Sequence, residues 1–318
     1  MMGTGTTGEG VAAGDTEDTS QPDWRTAFLS MEGLPDTYLT EAQRWFDPIA
    51  AHLASMHHRS AKRTLLVGLN GAQGAGKSTL VAYLRDWLVR EAGLSALSMS
   101  LDDFYLTRAE RRELANAVHP LFATRGVPGT HDVALLQRTL EGLMAAGEVA
   151  VPRFNKALDE RQAAATWPRI TAPVDVILLE GWCLGAAPEA PEALSTPCNA
   201  LEQHEDAQGL WRGYVNRQLA GPYAALHAQC DVWLMLKAPS FAEVLRWRTE
   251  QENRLRARTA AHAAENALMN DAALARFVQH YERLTRHCLA GLPSRMDVVW
   301  MLDSNRAIQS CAEPRLPA

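Results

Sequence analysis

The run Gly71–Thr79, GAQGAGKST, constrains what this chain can fold into more than any other feature. It contains G-x-x-x-x-G-K-[ST], the phosphate-binding loop (P-loop, or Walker A motif) of nucleoside-triphosphate enzymes. An apolar, strand-like stretch precedes it at residues 64–70, and residues 79–90 follow with apolar side chains at helical spacing. Strand, glycine-rich loop and helix in this order are the context that the motif needs. They predict a P-loop NTPase fold.

Each part of this loop has a chemical role in binding phosphate. Glycines let the backbone curl so that its N–H groups point at an anion, and the start of the next helix adds a partial positive charge. Lys77 would reach the β- and γ-phosphates of ATP, and the Ser78 hydroxyl would bind Mg²⁺. We therefore expect ATP and Mg²⁺ as cofactors. The predicted nucleotide-binding residues are Gly71, Ala72, Gln73, Gly74, Ala75, Gly76, Lys77, Ser78 and Thr79.

Composition limits which kinds of P-loop protein this chain can be. The 318 residues carry a net charge of −6, which argues against nucleic acid as the main partner. No apolar run reaches the length of a membrane span, and the N-terminus lacks the pattern of a secretion signal. The five cysteines are scattered without C-x-x-C spacing, which favours a reducing compartment. We expect a cytoplasmic protein with a small-molecule substrate and with neither a nucleic-acid nor a membrane partner.

The strand pattern indicates an α/β fold with a mostly parallel sheet. Residues 174–181, 231–237 and 297–303 are nearly continuous apolar runs, which is typical of strands buried on both faces. A further strand over residues 94–103 ends in two carboxylates. Helical stretches separate these runs, and strands that alternate with helices imply a parallel sheet with helices on both faces. Ahead of them, residues 36–58 are predicted as one helix with a capping box near its start.

The domain organisation is predicted to be simple. Residues 1–22 are polar and without periodicity, which predicts a disordered tail before a single P-loop domain over residues 23–318. Within that domain, about residues 185–209 are rich in Ala, Pro and Glu and are predicted to be a surface insertion. About residues 240–292 are predicted to form a helical region with a lid.

Two strands of the predicted sheet end in carboxylates that suit phosphoryl transfer. Glu180 ends a buried strand, where an acid lies beside the phosphate loop and can hold Mg²⁺; the alternative is a solvated acid at the sheet edge. Asp102 and Asp103 lie at the edge where open α/β sheets bind ligands. One of them could take the proton of a substrate hydroxyl, or both could cap the next turn. Because side chains alternate along a strand, only one is expected to point at the substrate, and Asp102 shares its face with Ser100.

The segment Arg125–Asp132, RGVPGTHD, combines turn residues with polar side chains. Arg125 suits a substrate carboxylate, which a planar guanidinium can hold with two hydrogen bonds. Asp132 either contacts the substrate or caps the next helix. His131 could be catalytic, although a structural histidine is the usual case. We assign Arg125, Thr130, His131 and Asp132 to substrate binding.

An arginine-rich helix over residues 246–256 could close over the triphosphate as a lid. Arg248, Glu252 and Arg256 share one face of this helix. The alternative is a solvated face with Arg–Glu pairs four residues apart. We select Arg248 as the catalytic lid arginine and place Arg256 second.

These runs resemble the D-glycerate 3-kinase family, which is similar in turn to phosphoribulokinase, uridine kinase and bacterial pantothenate kinase. The resemblance extends from about residue 60 to the C-terminus. The P-loop alone is common to many families, whereas the later runs in this order are much more specific. The resemblance rests on Gly71–Ser78, Ser100–Tyr105, Arg125–Asp132, Leu179–Gly185, Val215–Leu219 and Arg246–Arg256.

The resemblance implies an ATP-dependent kinase that phosphorylates a hydroxyl of a small acid, D-glycerate above all. It maps the general base onto Asp102, and we place Tyr105 of the same run in the substrate site. Lys77 and Arg248 would stabilise charge on the transferred phosphoryl group.

The chain departs from the family in one run, Pro152–Lys156, which has Asn155 where the family usually has aspartate. If that position contacts the acceptor, the acceptor could differ from glycerate. A kinase for a nucleoside or for pantothenate is therefore one alternative. A nucleotide-dependent switch or assembly factor with slow hydrolysis is the other, since it would need the loop and Glu180 but not Asp102 or Arg125.

Overall fold

The structure is a computed structural model, and it describes most of the chain. The disordered tail predicted for residues 1–22 lies outside the described part. The chain divides after Thr40 into two units. In the first, the left-handed backbone of Gly33 ends a helix, and the ring of Phe28 lies 6.2 Å from that of Tyr38. The described residues are 23–60, 64–259, 271–312 and 315–316.

The described strands are β1 (Leu65–Gly71), β2 (Ala96–Ser100), β3 (Gly147–Ala150), β4 (Phe154–Asn155), β5 (Glu160–Arg161), β6 (Arg169–Ala172), β7 (Val176–Gly181), β8 (Val232–Lys237), β9 (Val298–Leu302) and β10 (Ile308–Cys311). The described α-helices are α1 (Trp24–Glu32), α2 (Thr37–Trp45), α3 (Asp47–Arg59), α4 (Lys77–Arg90), α5 (Arg108–Ala117), α6 (Val133–Met144), α7 (Ala200–Glu205), α8 (Leu210–Gln218), α9 (Ala224–His227), α10 (Phe241–Thr259) and α11 (Asp271–Gly291).

The central sheet has the strand order β10-β9-β8-β1-β7-β2. The strands from β9 to β2 run parallel, and β10 adds an antiparallel edge. β1 and β7 are buried along their whole length, as their apolar sequences predict. The predicted α/β fold with a mostly parallel sheet is therefore confirmed. Because β1, β7 and β2 are neighbours and parallel, their carboxyl ends meet at one edge of the sheet.

The main apolar core secures the elements around that edge. It joins the sheet to α6, to the turn after β2 and to the helices α8 and α11. Its members include Phe104, Leu136, Leu179, Trp182 and Leu284, none of them more than 4% exposed. Burial of this size is the main favourable term in folding and gives the sheet edge a rigid support. No helix in the described ranges is long and apolar enough to cross a membrane.

One predicted helix is wrong in its extent. Residues 36–58 form the separate helices α2 and α3, which are interrupted at Phe46. Pro48 lies in the first turn of α3, where its missing N–H costs nothing, whereas within one continuous helix it would break a hydrogen bond. Thr40 lies inside α2 and not at its start, so the expected capping box is also wrong.

Two other predicted segments can be located. Residues 185–209, which were expected to be a surface insertion, contain α7. The buried carboxylate of Glu202 accepts hydrogen bonds from the Arg283 guanidinium of α11, both at 2.7 Å. The helical region expected over residues 240–292 contains α10 and α11, and residues 260–270 between them lie outside the described part.

Candidate active site

The phosphate-binding loop links β1 to α4, which begins at Lys77. Gly74 has a φ of +77°, and a Cβ there would lie 3.0 Å from the Cβ of Trp247, so only glycine fits without strain. The Lys77 ammonium donates to the carbonyl of Ala72 at 3.2 Å and lies 3.9 Å from a carboxylate oxygen of Glu180. The Lys77 ammonium thus lies between the backbone of the loop and the Glu180 carboxylate.

Glu180 lies directly beside this loop. Strand register pairs Leu69 of β1 with Glu180 of β7, and Ser100 of β2 with Glu180 from the other side. The Ser78 hydroxyl donates to the Glu180 carboxylate at 3.3 Å. Asn70 strengthens this edge because its amide donates to the carbonyls of two residues in the loop after β7. The two side chains expected to hold Mg²⁺ are therefore adjacent.

The two aspartates after β2 point in different directions, but not for the predicted reason. β2 ends at Ser100, and residues 101–104 form a turn of 3₁₀ helix, so strand alternation does not reach Asp102. The Asp103 carboxylate accepts from the backbone N–H of Phe154 at 3.1 Å, and Arg153 lies 3.5 Å away. Burial raises the pKa of Asp103, although the hydrogen bond from Phe154 opposes that change. Asp103 thus secures a neighbouring segment.

The carboxylate of Asp102 lies among potential proton donors and cations. It accepts from the Tyr105 hydroxyl at 3.0 Å and from the Lys156 ammonium at 2.7 Å. Burial on its own would raise the pKa of Asp102, but Lys156, with a smaller contribution from Lys77, outweighs burial and holds the pKa below its usual value. Asp102 is therefore ionised at neutral pH, and its carboxylate can accept a proton.

A short hairpin presents Lys156 to Asp102. We call β4, β5 and the turn between them the 154–161 hairpin. The side-chain oxygen of Asn155 accepts from the backbone N–H groups of Ala157 and Leu158, both at 3.0 Å. An aspartate oxygen would fill the same role, so Asn155 is engaged in shaping the turn.

Arg125 meets a carboxylate of the protein itself. Its guanidinium donates to Asp159 in the 154–161 hairpin and to the carbonyl of Lys156 at 3.1 Å. Asp159 also accepts from Arg111 at 2.8 Å, and these guanidinium groups outweigh burial and lower the pKa of Asp159. The expected direct grip of Arg125 on a substrate carboxylate is not supported by this pairing. Instead, Arg125 positions the hairpin that carries Lys156.

The other predicted substrate residues of the Arg125–Asp132 segment occupy different surroundings. The hydroxyl of Thr130 is fully buried and bonds within its own loop, to the Val127 carbonyl at 2.7 Å and the Gly126 N–H at 2.9 Å. Asp132 caps α6 by accepting from the N–H of Leu135 at 2.9 Å, which is the alternative left open by the sequence. For both residues, the geometry favours a structural role.

His131 remains close to Asp102. Its ring stacks on Tyr105 at 4.4 Å, and its Nδ1 lies 2.6 Å from the hydroxyl of Tyr223. Its Nε2 is buried with no hydrogen-bond partner among the described residues. Burial lowers the pKa of His131 to about 4, even though Asp102 opposes the change, so the ring is neutral at pH 7.

Arg248 lies on α10 next to Trp247, which packs against the phosphate loop. Its guanidinium carbon lies 5.9 Å from the Phe277 ring centre. Phe277 in turn packs against Tyr281, with ring centres 5.0 Å apart, and the Tyr281 hydroxyl donates to the Arg125 carbonyl at 3.0 Å. The side chains of Glu252 and Arg256 lie outside the described part. Arg246 illustrates the solvated-face alternative, since it pairs with Glu243 and Glu250 at 2.7 Å.

Two residues beside this site are not among those predicted from the sequence. Lys156, the last residue of the Pro152–Lys156 run, bonds Asp102. Arg306, in the turn between β9 and β10, donates to the Gly74 carbonyl at 2.8 Å and pairs with Glu250 of α10 at 2.8 Å. It therefore links the phosphate loop to α10.

Comparison with known proteins identifies the family. No family model matches the chain. The chain is 36% identical over 232 residues to the uncharacterized kinase mug58 of Schizosaccharomyces pombe, a match that spans 69% of this chain and 79% of the yeast protein. It is 33% identical over 220 residues to the chloroplastic D-glycerate 3-kinase of Arabidopsis thaliana, a match that spans 66% of this chain but only 46% of the plant protein.

A solved structure supports the fold. The D-glycerate 3-kinase from Cryptococcus neoformans superposes with a TM-score of 0.69 at 24% identity, over 85% of this chain and 98% of the fungal one. The sequence matches to the fission-yeast kinase and to the plant D-glycerate 3-kinase confirm the family resemblance predicted from the sequence. The chain belongs to the D-glycerate 3-kinase-like family of P-loop kinases and is a phosphotransferase that acts on an alcohol group.

Proposed function

We propose that this protein transfers the γ-phosphoryl group of ATP to a hydroxyl of a small hydroxy acid, and that the acid is D-glycerate. The observation that carries the proposal is the placement of Asp102. Asp102 follows Ser100, which pairs in the sheet with Glu180, and Glu180 lies 3.9 Å from Lys77 of the phosphate loop. The Asp102 carboxylate is bonded to Lys156 at 2.7 Å. A base, a phosphate cradle and an exposed cation beside the base are the parts of a kinase site for an anionic acceptor.

The chemical step follows from these positions. The acceptor hydroxyl oxygen attacks the γ-phosphorus while the bond from that phosphorus to the β–γ bridging oxygen breaks, and ADP leaves. The proton of the hydroxyl passes to the Asp102 carboxylate. Lys77 stabilises the charge that develops on the transferred group, and Arg248 adds a second cation when α10 closes. Tyr105 holds Asp102 in place through the 3.0 Å hydrogen bond.

Mg²⁺ fits the oxygen donors beside the loop. Ser78 and Glu180 offer a hydroxyl and a carboxylate 3.3 Å apart. Mg²⁺ usually takes one or two such protein ligands and fills its other positions with waters and substrate phosphates. Within the described residues, no three His, Cys, Asp or Glu side chains converge as a metal site. When bound, Mg²⁺ would neutralise charge on the β- and γ-phosphates.

The Asp102 cluster favours a kinase over the alternative of a nucleotide-dependent switch. Hydrolysis in a switch needs the phosphate loop and Glu180, but it does not need a carboxylate held ionised between Lys156 and Tyr105. The names of the relatives favour glycerate, since two of the three reported are D-glycerate 3-kinases.

An acceptor panel tests this proposal. ADP release from ATP·Mg²⁺ is followed by a coupled assay with D-glycerate, L-glycerate, pantothenate, uridine or no acceptor. We expect the highest kcat/KM with D-glycerate and only a slow background without an acceptor. A higher kcat/KM with uridine or pantothenate would identify that compound as the acceptor in place of glycerate. Equal rates with and without acceptors would support the nucleotide-dependent switch.

A further inference from the structure

The basic side chains around Asp102 differ in one respect, namely the partner of each cation. The guanidinium groups each have a carboxylate elsewhere in the protein. Their pairs are Arg125–Asp159, Arg111–Asp159, Arg108–Asp159, Arg153–Asp103 and Arg161–Asp132. Lys156 instead pairs with the proposed base itself, at 2.7 Å.

The chain gives Lys156 freedom to meet a second anion. Its side chain is 61% exposed, whereas that of Asp102 is 25% exposed. An ammonium on a flexible stem can share itself between two carboxylates, because it has three donors that rotate freely. Its backbone, in contrast, is held by the bond from Arg125 to its carbonyl and by the Asn155 turn. Lys156 thus combines a backbone that is held in place with a charged side-chain end that is exposed to solvent.

The position of Lys156 dictates what lies beside it during the reaction. An acceptor hydroxyl that gives its proton to Asp102 must touch one of the two carboxylate oxygens. Tyr105 bonds one of these oxygens and Lys156 the other. Any group attached close to that hydroxyl therefore lies within reach of the Lys156 ammonium. A carboxylate there forms an ion pair with the Lys156 ammonium. A neutral group cannot, so the ammonium loses its anionic partner when Asp102 takes up the proton.

We propose that Lys156 is the specificity-determining residue of this kinase and that it selects acceptors with a carboxylate close to the hydroxyl to be phosphorylated. The inference rests on the proposed function. It assigns the recognition of the acid to Lys156 and leaves Arg125 as the residue that positions the hairpin.

The test compares an acidic acceptor with its neutral counterpart. D-Glycerate and glycerol differ in that a carboxylate replaces one hydroxymethyl group. The ratio of their kcat/KM values is measured for the wild type and for Lys156→Met, Lys156→Gln and Lys156→Arg. Arg153→Met is the matched control, because it removes a cation close to the hairpin that pairs with Asp103 and not with Asp102.

We expect Lys156→Met and Lys156→Gln each to lower the glycerate-to-glycerol ratio by tenfold to a hundredfold, as is usual for the loss of a charged hydrogen bond. The loss should come mainly from a higher KM for glycerate. Lys156→Arg should restore part of the ratio, and Arg153→Met should keep the wild-type ratio within threefold.

A ratio that falls less than tenfold in both Lys156→Met and Lys156→Gln, or that falls equally in Arg153→Met, would overturn the inference. That result would leave the proposed function intact as long as the wild type phosphorylates D-glycerate. Absence of wild-type turnover with every hydroxy acid would instead overturn the proposed function, and this inference with it. Because Lys156 is largely exposed, its variants should fold, and circular dichroism checks this.

Discussion

Replacing Asp102 by asparagine separates catalysis from structure in this site. Asparagine keeps the size of the side chain and can still accept the hydrogen bond from Tyr105, but it cannot take a proton from the acceptor. General bases contribute about 10²–10⁴-fold to rate, so kcat should fall by that factor, equivalent to about 3–5 kcal/mol of barrier. The KM for ATP should change little because the carboxylate acts on the acceptor.

Asp103→Asn provides the matched comparison. The Asp103 carboxylate accepts from the backbone N–H of Phe154 at 3.1 Å, and an asparagine oxygen can do the same. The kcat of Asp103→Asn should therefore stay within about threefold of the wild-type value. A change of that size corresponds to less than about 1.4 kcal/mol of activation barrier, which would be tenfold.

The assay is ADP release at saturating ATP and D-glycerate, with folding of both variants checked by circular dichroism. Asp102→Asn at more than a tenth of the wild-type kcat would refute Asp102 as the base. A larger loss in Asp103→Asn than in Asp102→Asn would show that the two carboxylates have been assigned to the wrong roles.

Four further outcomes are expected. Lys77→Ala should lower kcat by 10²-fold or more without loss of fold, because groups that stabilise transition-state charge have about that effect; more than a tenth of the wild-type rate would contradict the loop assignment. Arg125→Lys should raise the KM for glycerate about tenfold with little change in the KM for ATP, since an ammonium does not reproduce the planar fork through which the guanidinium bonds both Asp159 and the Lys156 carbonyl; an unchanged KM in initial-rate assays would refute this. Arg248→Ala should lower kcat more than it weakens ATP binding, with an unchanged melting temperature. A variant with wild-type turnover would show that Arg248 only forms part of a solvated helix face. Finally, His131 has a pKa of about 4 in the folded chain against 6.5 when unperturbed, so only the unfolded chain binds its proton between these values. Stability should therefore decline as the pH falls from about 6.5 to 4, by up to about 3 kcal/mol, and urea unfolding of His131→Gln should show a shallower decline; identical slopes would contradict a buried neutral ring.

The sequence predicts those parts of the site that depend on local or strand-end geometry. The phosphate loop follows from the run Gly71–Thr79 because its glycines, lysine and serine act within one turn. Glu180 was expected beside Ser78 because parallel strands bring their carboxyl ends to one edge, and the two side chains lie 3.3 Å apart.

The sequence does not predict contacts made by short irregular segments. Lys156 reaches Asp102 from 54 positions along the chain, on a hairpin whose strands β4 and β5 have only two residues each. Strands that short carry no periodic signal. The Arg125–Asp159 pair has the same origin, because nothing in the sequence indicates that the protein supplies this carboxylate itself.

Strand alternation does not determine the direction of Asp102. The strand ends at Ser100, whose hydroxyl accepts from the Asp102 N–H at 3.3 Å and helps to begin a 3₁₀ turn. Serine and aspartate near the end of a strand favour such local hydrogen bonds over continued pairing. The separation of Asp102 from Asp103 therefore depends on the turn.

The central claim is that phosphate moves from ATP to the hydroxyl of a hydroxy acid. The most direct measurement is mass-spectrometric analysis of products formed from γ-¹⁸O-labelled ATP and D-glycerate, with ADP counted in the same samples. The account predicts one labelled phosphoglycerate per ADP, and loss of this product in Asp102→Asn. Labelled inorganic phosphate as the only product, formed at the same rate with or without D-glycerate, would contradict it.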